Sequence, residues 1–245
     1  MDKIFTKNIE HESAVKHVTG KAIYTDDISE PKNLLHAVIG YSNCSKGVIK
    51  KIDYKDVLSS EGVVDIITEK DIEGINDVGP IFKGDKIFTS KNIEYYGQPI
   101  FAVIAKTNNL AKKAALKVKI DLKISKPIVS IEEALKKKSF VLKPKYLTRG
   151  NIKDGFKRSD NFLKGKLYSG GQDHFYLEGQ IAMTIPQEDN NFLVYSSTQH
   201  PSETQQIIGK VLKQNYNSIH VIVRRIGGGF GGKETQSFLF AAITS

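Results

Sequence analysis

Apolar residues in the first half of the chain come in short runs separated by polar residues and glycine, the spacing of strands rather than of long helices. Leu35–Tyr41 is one such run, and Gly62–Thr68 (GVVDIIT) is another. Between them Gly47–Tyr54 (GVIKKIDY) alternates apolar and polar positions as a half-buried strand does. Pro99–Ala105 (PIFAVIA) is apolar throughout and predicts a further strand. Asn108 then stands where a helix cap is expected, ahead of Leu110, Ala111, Ala114, Ala115 and Val118 at helical spacing. A strand over Val118–Ile124 closes this stretch. The pattern predicts a mixed α/β unit over 1–125 in which the Ala/Lys helix is scaffold without chemistry.

From Ser125 to Leu147 the composition shifts: Pro127 and Pro144 bracket a lysine-rich stretch with one short helical segment, Ile131–Lys138. Too few apolar residues recur there to build a core, so 126–150 reads as a linker. Beyond Gly150, over 151–245, glycine-rich turns separate short strands expected at Gly165–Ser169, Ile181–Ile185, Phe192–Ser197 and Ser218–Ile226. A helix is predicted between the last two. Pro201 suits its first turn, Glu203 favours the positive end of its dipole, and Ile207, Ile208, Val211 and Leu212 form its buried stripe. Thr235–Ser245 starts an apolar helix and stops without cap or polar finish, the pattern of a domain whose remainder lies outside this sequence; a short final helix packed on the sheet is the alternative. The fold class expected is α+β, with no internal repeats.

With 245 residues, 40% of them hydrophobic, the chain can bury one sizeable core or two modest ones. The net charge of +9 raises nucleic acid as a partner, but the lysines are scattered (Lys50-Lys51, Lys112-Lys113, Lys136 to Lys138) and carry no interleaved stacking aromatics. They read as solvated surface. No run approaches the ~18 to 20 apolar residues of a membrane span, and the opening MDKIFTKNIEHESAVKH is charged where a signal peptide is apolar. A cytoplasmic protein with no membrane contact is expected. Cys44 is the single cysteine, so neither an internal disulfide, nor a cysteine zinc site, nor an iron–sulfur cluster can be built from this sequence.

The most specific local feature is Arg224-Arg225-Ile226-Gly227-Gly228-Gly229-Phe230-Gly231-Gly232-Lys233-Glu234, between the strand-like IHVIV and the apolar terminal run. Such a loop lets a ligand approach the backbone closely and offers N–H groups to an anion. Gly227, Gly229 and Gly232 satisfy G-x-G-x-x-G, yet a dinucleotide loop should open its domain and have an acidic residue about 20 positions on. Gly227, Gly232 and Lys233 satisfy the front of a P-loop, yet Glu234 stands where Ser or Thr must hold magnesium. A purely structural turn is the remaining plain reading.

Three more segments accompany the loop: Tyr96-Gly97-Gln98-Pro99; Gly170-Gly171-Gln172-Asp173-His174-Phe175-Tyr176-Leu177-Glu178-Gly179-Gln180; and Ser196-Ser197-Thr198-Gln199-His200-Pro201-Ser202-Glu203. In order and spacing the four resemble the large subunit of the xanthine dehydrogenase and aldehyde oxidase family of molybdenum hydroxylases, and the likeness runs from His17–Asp27 (HVTGKAIYTDD) to Lys233-Glu234. It is nearest to the bacterial form in which the molybdopterin-binding polypeptide is separate, and to the N-terminal portion of that subunit. The resemblance implies a hammerhead-like α/β domain followed by the first part of a molybdopterin-binding α+β domain.

For site residues the resemblance implies that Gln199 hydrogen-bonds an oxo group at the molybdenum centre, and that Phe230 and Gly231 approach metal and cofactor through their backbone. Glu234 would orient a purine substrate. The plain alternatives are a helix cap for Gln199, a core anchor for Phe230 and a solvated first-turn carboxylate for Glu234. His174, Phe175 and Tyr176 read as packing, and His200 carries no direct role. The implied reaction is hydroxylation of an electron-poor ring carbon, of hypoxanthine or xanthine to urate, on a molybdenum–molybdopterin cofactor. Two-iron clusters and FAD would sit on partner subunits of a hetero-oligomer. The family's general-base glutamate lies past the matched stretch, so no catalytic residue is assigned. The competing readings are an aldehyde-oxidising enzyme, a docking module for the iron–sulfur and FAD subunits, and an inactive fragment with apolar surface exposed around Phe238, Leu239 and Phe240.

Overall fold

The computed structural model describes residues 10–245, so the opening nine residues of the charged start lie outside the described part. Two compact units result: residues up to Ser125 together with His174–Ser245, and Lys126–Asp173.

In the larger unit, helix α1 (Ala14–Val18) precedes two three-stranded sheets. The first has the order β1-β5-β3, with β1 (His36–Tyr41) and β3 (Val63–Ile67) antiparallel to the central β5 (Pro99–Ala105). The unbroken apolar run of β5 follows from its position: Phe101 and Val103 face one core, Ala102 faces another, and all three are fully buried. The second sheet has the order β4-β2-β6, formed by β2 (Gly47–Asp53), β4 (Asn92–Ile93) and β6 (Lys119–Ile124). In β2 the register shifts between Ile49 and Lys51, and this bulge puts Ile49 and Ile52, three positions apart, on the same core. Helix α2 (Lys55–Leu58) contributes Val57 to that core. Helix α3 (Asn108–Ala115) buries Ala111 and Ala114 against it, but its cap is Thr107, whose hydroxyl accepts from the Leu110 N–H, and Asn108 is the first helical residue. The expected cap was one residue late. Cys44 is buried in the same core as an unpaired thiol.

The third sheet has the order β7-β8-β9, with β7 (Ala182–Pro186) antiparallel and β9 (Ile219–Ile222) parallel to β8 (Phe192–Ser196). The parallel pair needs a crossover, supplied by α6 (Pro201–Leu212). Ile207, Ile208 and Val211 on α6 are buried and Leu212 partly so, which is the predicted stripe. Helix α7 (Gln236–Thr244) packs beside α6, and Phe238 is fully buried with Ala102 of β5 and Ile207 of α6 in one cluster. The expectation of exposed apolar surface at Phe238, Leu239 and Phe240 is therefore overturned: the first is buried and the other two are half-buried. Main-chain bonds from Gly74 N–H to Val211 O (2.8 Å) and from Ile75 N–H to Lys210 O (3.0 Å) tie the β3–β4 connection to the end of α6.

The smaller unit, Lys126–Asp173, has two short helices and no buried residue. Ser130 caps α4 (Ile131–Lys136), and Asn151 caps α5 (Ile152–Arg158), a helix the apolar pattern did not reveal. The strand expected at Gly165–Ser169 is absent: Leu167 and Tyr168 are exposed there and no neighbouring strand pairs with them.

Candidate molybdopterin-facing site

The glycine loop leaves β9 and enters α7, so the sheet and the crossover helix fix both of its ends. Gln199 lies just before α6, and its side chain does not cap that helix, whose N-cap is His200 with no side-chain cap bond. Instead Gln199 Oε1 accepts from the Gly231 N–H (3.1 Å) and the Lys233 N–H (3.2 Å), while the Gln199 N–H donates to Lys233 O (2.9 Å). Two donors on one oxygen settle which end of the amide is which. The NH2 end is left to donate elsewhere, which is the use the resemblance implied. Gly229 makes this possible: a Cβ there would lie 2.4 Å from Gln199 Oε1.

Phe230 adopts φ +52° with its side chain 76% exposed, so it is no core anchor. Its left-handed backbone turns the loop outward. The N–H groups of Gly228, Gly229 and Phe230 have no acceptor among the described residues, and three such donors in succession suit an oxygen-rich or anionic ligand. Glu234 is exposed and precedes α7, which begins at Gln236, so it is not a first-turn helix residue. A Cβ built on Gly231 would lie 3.8 Å from His174 Nε2 and 4.0 Å from Glu234 Oε1, so an imidazole and a carboxylate flank the same glycine. Gln199, from the segment before α6, thus meets the loop that contains Phe230, Gly231 and Glu234, and His174, to which sequence reasoning assigned no role, lies beside Gly231. A cavity of about 470 Å³, lined by Ile49, Tyr54, Asp65 and Asp71 among others, lies elsewhere in the N-terminal sheets and contains none of them.

Beneath the loop lies an arrangement that sequence reasoning missed. Lys233 has no exposed side-chain surface, and its Nζ donates to Glu178 Oε2 (2.9 Å) and to Ser197 Oγ (2.8 Å) while lying 4.9 Å from the centre of the Tyr176 ring. Glu178 Oε2 also accepts from the Ser197 hydroxyl (2.5 Å) and from the Gly227 N–H (2.7 Å). A lysine so engaged cannot reach a phosphate, which removes the P-loop reading. Burial by itself raises the Glu178 carboxyl pKa, but the bonds from Gly227, Ser197 and Lys233 outweigh it together and hold the group below its ordinary value. On the far side Ser237 Oγ donates to Thr198 Oγ1 (2.8 Å), joining α7 to the Thr198-Gln199 segment.

The donor set fits an oxo- and phosphate-bearing cofactor: one amide NH2 fixed by its own carbonyl, three main-chain N–H groups without an acceptor among the described residues, and close-approach glycines. Residues 19–126 match the aldehyde oxidase and xanthine dehydrogenase a/b hammerhead domain, and 134–245 match the molybdopterin cofactor-binding domain. A xanthine dehydrogenase of Dictyostelium discoideum is 38% identical over 240 residues, which cover 98% of this chain and 18% of the relative. Aldehyde oxidase 1 of Bos taurus is 39% identical over 240 residues, covering 97% and 18%. The chain thus spans about a fifth of the length of these relatives. Among solved structures, the aldehyde oxidoreductase from Desulfovibrio gigas superposes with a TM-score of 0.82 at 26% identity, over 95% of this chain and 28% of that one. Sequence and fold agree: the chain belongs to the aldehyde oxidase and xanthine dehydrogenase family, with the a/b hammerhead domain ahead of a molybdopterin cofactor-binding domain.

Proposed function

We propose that this chain supplies one wall of the molybdopterin site of a molybdenum hydroxylase acting on hypoxanthine and xanthine. The observation that carries the reading is the fixed amide of Gln199, whose carbonyl is held by Gly231 and Lys233 so that its NH2 is presented as a donor. The cofactor, when bound, supplies the redox chemistry of ring hydroxylation. Gln199 and Phe230 border the molybdenum centre, Gly231 borders the cofactor, and no side chain here serves as the general base. Glu234 accepts a purine ring N–H or, protonated, donates to a ring carbonyl, and His174 beside it shapes the same approach. Purines are favoured over aldehydes because a carboxylate has ring donors and acceptors to hold only in the former. Two-iron clusters and FAD on partner subunits would accept the electrons, and the single cysteine of these 245 residues ligates no cluster. A cytoplasmic hetero-oligomer, and the division into 1–125, a linker over 126–150 and 151–245, belong to the same proposal.

The test is turnover by the assembly that contains this chain, with molybdenum measured by elemental analysis on the same sample. Near-stoichiometric metal is expected, and Glu234→Gln is expected to lower kcat/KM for xanthine by about 10²-fold, in the range of a lost transition-state hydrogen bond, with little change for an aromatic aldehyde. Equal loss on both substrates would overturn the purine assignment, and absence of molybdenum would overturn the site. The isolated 245 residues are expected not to turn over xanthine.

A further inference from the structure

The two ends of the glycine loop meet on one side chain, that of Glu178, of which 12% is exposed. Gly227 opens the loop and donates its N–H to Glu178 Oε2, and Lys233 closes it and donates its ammonium to the same oxygen. Ser197, two residues before Gln199, completes a triangle by donating to Glu178 and accepting from Lys233. Everything between Gly227 and Lys233, including Phe230 and Gly231, is strung across this point. From its upper side the loop returns two N–H groups, of Gly231 and Lys233, to Gln199 Oε1.

We propose that Glu178, Lys233 and Ser197 form a latch that closes the glycine loop from below, making Glu178 and Lys233 positioning residues for the Gln199 amide. Lys233 gives its side chain to the latch and its main-chain N–H to Gln199, so the ion pair and the amide orientation share one residue. Gly227 admits the contact, because a Cβ there would lie 2.4 Å from Glu178 Cβ. A buried ion pair is a poor source of net stability, since desolvation offsets most of its attraction, but it fixes geometry where both ions have several hydrogen bonds. Here Glu178 Oε2 has three donors and Lys233 Nζ two acceptors. What the latch positions is named by the molybdopterin reading, on which that last step rests; the latch itself does not depend on it.

The experiment is hydrogen–deuterium exchange, read by mass spectrometry on the full chain, comparing wild type with Glu178→Leu/Lys233→Met. The double substitution leaves no unpaired buried charge, so the chain folds even where either single variant fails. The expected result is exchange at least about tenfold faster in peptides spanning Gly227–Lys233, with the amides of Phe101–Ala105 unchanged. Loop exchange as slow as in wild type would overturn the latch, as would acceleration spread evenly over the loop and the central strand. Elemental analysis of the same two proteins separates the claims: a wild type without molybdenum but with the expected exchange pattern retains the latch and loses the functional reading.

Discussion

Glu178 shows how one residue's environment becomes a property of the whole chain. Its carboxyl is lowered in the folded state by Gly227, Ser197 and Lys233 against the opposing effect of burial, whereas unfolded it titrates near its ordinary 4.5. A folded pKa below the unfolded one means the folded chain binds fewer protons, so the stabilisation is fully present above about 4.5 and is lost as pH falls through the folded value. The expected outcome is that the melting temperature of wild type drops more steeply on acidification below about 4.5 than that of Glu178→Leu/Lys233→Met, in which this proton is absent. Parallel curves would show that Glu178 does not titrate differently in the two states. The residue stands in the quoted Gly170 to Gln180 segment, but nothing in that segment encodes its pairing with a lysine 55 positions away. Gln199, Phe230, Gly231 and Glu234 were singled out through the resemblance their motifs carry, and Lys233 stood there only as a motif letter, its buried role depending on contacts the motif does not encode.

At the scale of the element, strands and helices were readable where one periodicity dominated. The continuous run of β5 and the stripe of α6 give direct signals, since each packs on neighbours that demand apolar residues there. Helix α5 was not legible: Asn151 caps it, Ile152 and Phe156 share a face and Arg158 lies at its basic end, but Gly155 interrupts the pattern and no core rewards the face. The strand expected at Gly165–Ser169 failed for the complementary reason, since β-type residues without a ladder partner form no strand. The start of α3 gives a direct check. Thr107 Oγ1 accepts from the Leu110 N–H, so Thr107→Ala is expected to cost about 1 kcal/mol of stability, whereas Asn108→Ala, just inside the helix, stays within about 0.5 kcal/mol. Urea unfolding of the two variants decides between them; a larger loss for Asn108→Ala would restore the cap to position 108.

Across the whole molecule, segments far apart in sequence share one core while the stretch between them contributes none of it. Ala102 of β5 and Val78 and Phe88 from the first part of the chain bury themselves with Ile207, Val211, Phe238 and Ile243 from the last. Arg225 adds polar ties, donating to Ile23 O (2.8 Å) and Ser13 Oγ (3.1 Å). By contrast, residues 126–173 have twelve Lys and Arg against five Asp and Glu and no buried side chain, so local opening there breaks only short helices. Trypsin needs such opening around its lysine or arginine, and in this chain the basic residues are dense where opening is least opposed. Limited digestion is therefore expected to cut first between Lys136 and Lys166, with Lys233, whose side chain is fully buried, among the last sites reached. The nicked protein is expected to elute in native size exclusion as one body containing both fragments, because the shared core does not depend on the connecting peptide. Mass spectrometry of that peak decides the matter: separation into an N-terminal and a C-terminal piece would mean that the Phe238 cluster does not hold the two segments together, and the loop and its latch would then have to be supported by the last seventy residues alone.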